Sequence, residues 1–226
     1  MKDEKLQINK KILAYRVFIA VIGITILGIG IGFMRYAVFG VDPMTCLNIG
    51  IARQLGLLFG TWQLIVYSVL IVAMFFLDRS KIGFGTVYII IAVGYTSDLY
   101  LWLIDNAQFL QEQFIQAYPL QTRITSLALG LLLCFFGASV YIETNMGLSP
   151  YDAAAIIIAE KMKKPDWFKW IRIGTDALCV TGGLLVKSDV GIGTLISVLL
   201  GGPLISFFRK SLQKTRIFRL IQNREL

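Results

Sequence analysis

The chain has 226 residues, 56% of them hydrophobic and 16% charged, with a mean hydropathy of +0.70 and a formal net charge of +8. Soluble domains carry about 25% charged residues, so the composition excludes an ordinary soluble enzyme, a disordered chain and a disulfide-stapled secreted domain. It points to a polytopic membrane protein, and at roughly 20 residues per spanning helix the length holds six spans and no separate catalytic or nucleotide-binding domain.

In chain order, residues 1–16 carry five Lys/Arg and two acids and read as a basic cytoplasmic segment. They lack the small-residue cleavage site of a removable signal peptide. The charge-free run 17–34 is the first span. A "GVDP" turn follows and opens a short helix from Pro43 to about Leu57, with Asp42 as N-cap and Pro43 at the first helical position. Residues 54–77 and 82–104 give spans two and three, separated by the "DRSK" of Asp78 to Lys81, and Asp98 interrupts the third. The polar stretch 105–123, with Pro119, is the long loop. Residues 124–142 form the fourth span. Ser149-Pro150 opens a second short helix to about Met162, and Asp152 falls three residues after Ser149, a loose capping box. The fifth span, about 167–186, contains Arg172 and Asp176, and 190–208 is the sixth. From Arg209 basic residues alternate with Leu212, Ile217, Phe218, Leu220 and Ile221, the pattern of a basic amphipathic helix on inner-leaflet lipid.

The tails account for the whole +8, and residues 17–208 balance at 11 basic and 11 acidic. This is not the basic face of a nucleic-acid binder. The positive-inside rule puts both termini in the cytoplasm, which requires an even number of spans and sends the 105–122 loop outside. Apolar segments of 10–14 residues are re-entrant or interfacial more often than spanning, so the two short helices are not counted as spans.

The chain repeats itself. At an offset of 107, Gly30, Gly40 and Pro43 match Gly137, Gly147 and Pro150; one inserted residue later, Trp62 matches Trp170 and "GFGT" (83–86) matches "GIGT" (191–194). Each half reads span, short helix, span, span. Three spans per half is odd, so the halves, 17–106 and 124–208, must have opposite orientations. The expected fold is an all-α integral membrane protein of six spans and two short helices in two inverted-topology repeats. Segment 107–123 is the extracytoplasmic connection and 209–226 the cytoplasmic tail.

The small-residue first span, the "GVDP" and "GLSP-YD" turns, the "GxGT" openings and the Arg172–Asp176 spacing resemble the YitT/YczE family of bacterial multi-span membrane proteins. The resemblance covers most of residues 17–208. It implies a bacterial plasma membrane and a transporter-like bundle, and it implies no substrate. The first half departs from the second: Asp42 stands where Ser149 is, and Thr45 where Asp152 is.

Candidate site residues follow from two features. A broken helix leaves unsatisfied N–H groups equivalent to about half a positive charge at its start. Within the membrane these need a side chain, water or an anionic ligand. The inverted repeat would bring the starts at Asp42, Pro43, Thr45 and Ser149, Pro150, Asp152 together near the midplane. The alternative is that they cap surface helices. The second feature is ionisable residues within spans, which face the bundle interior and find partners. Arg172 and Asp176, four apart, share a helix face. Asp98 has no basic residue nearby in sequence, and Arg35 ends the first span. Structural pairing or snorkelling is the competing role for each. Gly28, Gly30 and Gly32, with the "GxGT" glycines, suit close helix packing, and Trp62, Trp102, Trp167 and Trp170 suit interface anchoring.

No histidine is present, and Cys46, Cys134 and Cys179 are far apart, so no metal site, cofactor or nucleophile triad is expected. An enzyme is disfavoured. The expected function is a secondary transporter or permease for a small anionic or zwitterionic solute. Acidic Asp42 and Asp152 favour a zwitterion or a cation-coupled anion over a bare anion. The alternatives are a non-transporting accessory membrane protein, or the substrate-binding subunit of a vitamin uptake system. The expected partners are the solute and membrane lipid; self-association into a homo-oligomer is compatible with the composition.

Overall fold

A computed structural model describes residues 2–107 and 115–221. Among them every regular element is helical: α1 (Lys2–Ala37), α2 (Pro43–Leu55), α3 (Phe59–Asp78), α4 (Phe84–Asn106), α5 (Pro119–Glu143), α6 (Pro150–Lys161), α7 (Phe168–Leu185), α8 (Ile192–Leu212) and α9 (Arg216–Ile221). Five stretches are long and apolar enough to cross a membrane: Lys10–Ala37, Phe59–Lys81, Phe84–Asn106, Pro119–Glu143 and Ile192–Leu212. Helix α7, the expected fifth span, is not among them; its 18 residues carry Lys169, Arg172 and Asp176.

The sequence boundaries hold at the short helices and shift elsewhere. The basic N-terminal segment is not separate from the first span, because α1 runs unbroken from Lys2. The long loop contracts, because Pro119 occupies the first turn of α5, where its missing N–H costs nothing. Residues 108–114 of that loop, and 222–226 of the tail, lie outside the described residues. The tail does not lie wholly on lipid: Phe218 and Ile221 of α9 are buried with Val140, beside Ile19, Phe136 and Leu212.

Helices α1 and α5 cross at the centre on facing glycines. A Cβ on Gly23 would sit 2.8 Å from Tyr141 N, and one on Gly137 would sit 2.6 Å from Gly23 O. A turn or two away, Gly30 meets Cys134 N at 2.6 Å and Gly130 meets Gly30 O at 2.8 Å by the same construction. In lipid, where burial supplies no hydrophobic drive, such backbone contact is the main source of helix association.

The turns before the short helices lock onto the "GxGT" helix starts. Gly193 N donates to Phe39 O at 2.8 Å, and Gly85 N donates to Met146 O at 2.7 Å. Gly40 and Gly147 have φ of +95° and +106°, a region side chains rarely adopt. A Cβ there would lie 2.4 Å from Thr194 Oγ1 and Thr86 Oγ1, respectively. Those threonines reach back to Gly191 N and Gly83 N, at 3.4 and 3.1 Å, and close the starts of α8 and α4.

The two short helices begin at one level and run to opposite ends of the bundle. Met44 Sδ, in the first turn of α2, lies 3.8 Å from Cys179 Sγ of α7. The Tyr151 hydroxyl, in the first turn of α6, lies 3.6 Å from the same sulfur. From there α2 follows α7 toward its C-terminus, with Gln54 Nε2 donating to Val186 O at 3.2 Å and Arg53 paired with Asp189 at 2.6 Å. Helix α6 instead follows α3, with Ala153 and Ile157 packed on Met74, and ends where Glu160 pairs with Lys81 at 2.8 Å.

Candidate functional site

The helix starts differ in how they are capped. The Asp42 carboxylate accepts from Thr45 N at 3.1 Å, as its N-cap position requires. Ser149 makes no side-chain cap, so the capping box with Asp152 does not form. Asp152 pairs with α7 instead, where a guanidinium offers a charge-assisted bond stronger than one to a neutral backbone N–H.

Arg172, Asp176 and Cys179 stand at i, i+4 and i+7 and share the face of α7 that meets α6. Arg172 Nη1 pairs with Asp152 Oδ1, and Arg172 Nε lies 3.4 Å from Asp176. The expected Arg172–Asp176 pair is therefore present, and Arg172 shares it with a second carboxylate, Asp152. The Tyr151 hydroxyl donates to Asp176 Oδ1 at 2.8 Å, and the guanidinium lies 4.2 Å from the Tyr151 ring centroid. Two carboxylates, Asp152 and Asp176, thus share one guanidinium, a net negative site beside the starts of the short helices. Pro43, Thr45 and Pro150, in the first turns of the two short helices, are buried.

Arg35 and Asp98 are not in this cluster. Arg35 Nη1 donates to Asp98 Oδ1 at 2.7 Å and to Ser97 Oγ at 2.9 Å, and its guanidinium sits 4.6 Å from the Phe59 ring centroid. Asp98 Oδ2 accepts from Gly60 N at 2.7 Å, in the first turn of α3. Asp98 therefore compensates a buried charge and caps a helix that has no side-chain N-cap of its own. Arg35 also lines a cavity of about 380 Å³ with Met34, Val41, Ile49, Phe59 and Leu101; Arg53, Ser188 and Asp189 complete its polar side.

Sequence reasoning missed several participants. Tyr151, Cys179 and Met44 bridge the helix starts, yet each reads as an apolar core residue. The pairs Arg53–Asp189 and Lys81–Glu160 are 136 and 79 residues apart in sequence. The repeat offset was the available signal: Arg53 aligns with Glu160, and Lys81 with Asp189. Buried Glu143, which accepts from Arg209 at 2.6 Å and Gln213 at 3.0 Å, carried no signal beyond being an acid at a span end.

A helical bundle with, among the described residues, five helices long and apolar enough to cross a membrane, and with ion pairs between its helices, has the character of a polytopic membrane protein. The chain belongs to DUF6198, a family of unknown function, whose model matches residues 14–210. It is 30% identical to the "Uncharacterized protein YyaS" of Bacillus subtilis over 190 residues, 83% of this chain and 89% of that one. It is 21% identical to the "Uncharacterized membrane protein YczE" of the same organism over 187 residues, 82% of this chain and 81% of the relative. A Haemophilus influenzae protein is 26% identical over 192 residues, 84% and 81% of the two chains. These matches bear out the YczE-like resemblance read from the turns. No solved structure matches.

Proposed function

We propose that this protein is a secondary transporter of a small zwitterionic solute in the bacterial plasma membrane. In this reading α7 is the sixth span, its charges turned to the bundle interior, and the two halves are inverted repeats. Equivalent contacts recur with the halves exchanged, and they support the repeat. Gly40 against Thr194 mirrors Gly147 against Thr86, and Arg53–Asp189 mirrors Glu160–Lys81. The observation that carries the function is the meeting of two half-length helices on Cys179, beside Arg172, Asp152 and Asp176. Half-helices that start inside a bundle, related by an inverted repeat, are how many secondary transporters build a solute site. The excess of carboxylates disfavours a bare anion and favours a solute with an ammonium group, or one accompanied by a cation.

Counterflow in proteoliposomes tests this. Vesicles preloaded with unlabelled solute should accumulate the radiolabelled form several-fold over protein-free vesicles for a zwitterion (L-leucine or glycine betaine), and not for acetate or phosphate. Exchange of no member of this panel would overturn the transport reading and favour an accessory role.

A further inference from the structure

The cavity beside α2 is separate from the Arg172 cluster and has its own chemistry. It is lined by apolar Met34, Val41, Ile49, Phe59 and Leu101 and by charged Arg35, Arg53 and Asp189. Its volume, about 380 Å³, falls in the range of about 300–1,000 Å³ typical of small-molecule sites. The charges differ in how firmly they are held. Arg35 is nearly buried, its side chain 13% exposed, and its bonds to Ser97 and Asp98 both leave from Nη1. Asp98 is in turn committed to Gly60 N. Arg35 is therefore a fixed cation whose other guanidinium N–H groups carry none of these bonds. Arg53 and Asp189, 57% and 37% exposed, form a solvent-facing pair at 2.6 Å. Exposed pairs of this kind contribute about 0–1 kcal/mol, so opening it for a ligand costs little.

We infer that this cavity binds a small zwitterion with an apolar side chain. Its carboxylate bonds to Arg35 and Arg53, its ammonium takes the place of Arg53 on Asp189, and its side chain lies against Ile49 and Phe59. Each charge of the ligand meets an opposite charge, and no charged wall is left unpaired when the Arg53–Asp189 pair opens. The inference rests on the transport reading for the solute's role but not for its binding: the cavity would be the outward-facing loading site, upstream of the Arg172 cluster.

Calorimetric titration of the purified, detergent-solubilised protein tests it with three probes of one carbon skeleton type. L-Leucine carries both charges, 4-methylpentanoate only the carboxylate, and 3-methylbutylamine only the ammonium. Leucine should bind at least about tenfold more tightly than either, since each charge-assisted bond is worth at least about that factor. Asp189→Asn should remove the advantage of leucine over 4-methylpentanoate. Leu57→Trp, a bulky change at a half-exposed wall position, should abolish binding of all three while size-exclusion chromatography shows folded protein. Equal affinity for leucine and 4-methylpentanoate, no binding of leucine, or leucine binding indifferent to Leu57→Trp would each overturn the inference. Leucine binding without counterflow would overturn the transport reading alone; counterflow of a zwitterion unaffected by Leu57→Trp would overturn the loading site alone.

Discussion

Arg172 has two carboxylate partners, and that asymmetry decides how substitutions there behave. Removing the guanidinium leaves Asp152 and Asp176 without the cation they share. Removing one carboxylate leaves the other in place. Asp176→Asn still accepts the Tyr151 hydroxyl through its amide oxygen. We expect Arg172→Ala to cost about 1–3 kcal/mol, the range for leaving partly buried polar groups unsatisfied, and Asp176→Asn to cost less. The double variant Arg172→Ala/Asp152→Asn should be more stable than Arg172→Ala alone, because the second change removes the repulsion the first creates. Thermal unfolding in detergent, read as a double-mutant cycle, checks this; simple additivity would show that the groups are not coupled. The i,i+4 spacing made the Arg172–Asp176 contact legible in the sequence. The Asp152 contact was hidden because Asp152 also fitted a capping role, and only three-dimensional proximity shows that it bonds α7 and not the local N–H. Asp98 and Arg35 each stood out in the sequence, but their pairing did not, because 63 residues separate them.

At the scale of elements, what the sequence made readable was punctuation. Asp42-Pro43 and Ser149-Pro150 mark helix starts to the residue, since proline tolerates only the first turn. Long apolar runs locate α3, α4, α5 and α8 but leave their ends uncertain, because lipid-facing and protein-facing residues are equally apolar. The function of Gly40 and Gly147 was invisible, although their equivalence was plain. Each combines a positive φ with a contact that has no room for a side chain. Gly40→Ala and Gly147→Ala should therefore each destabilise the fold by about 1–3 kcal/mol, from strained backbone alone, with overpacking against Thr194 or Thr86 in addition. Gly56 is the control. Its φ is also positive, at +65°, but nothing lies within 4 Å of where its Cβ would be. Gly56→Ala should lower the unfolding temperature less than either of the others. Equal losses at all three positions would mean that backbone strain, and not docking of the turns on α8 and α4, sets the cost.

For the whole molecule, the decisive question is which end faces the cytoplasm, and the structure makes it testable by bringing chain ends together. Arg16 Nε donates to Ile221 O at 2.6 Å, so the start of the first span and the last helix lie at one end of the bundle. Glu143, bonded to Arg209 and Gln213, ends α5 there as well. Gly83, which opens α4, lies against Met146, and Lys81 pairs with Glu160 at the end of α6. This end thus gathers Arg16, Arg79, Lys81, Lys161, Lys163, Lys164, Arg209 and Lys210. The opposite end has only Arg35, Arg53, Arg123 and Lys187 among the described residues. By the positive-inside rule we expect this imbalance to put the first end in the cytoplasm. Single cysteines at exposed Lys214 and exposed Gln116 report the two ends. Native Cys46 and Cys179 are buried and Cys134 is only partly accessible, so replacing all three by Ala gives a clean background. A membrane-impermeant maleimide applied to intact cells should label Gln116→Cys and spare Lys214→Cys, with both labelled after permeabilisation. The reverse pattern would invert the orientation. Labelling of both in intact cells would place the two ends on one side of the membrane, and α5 would then not be a span.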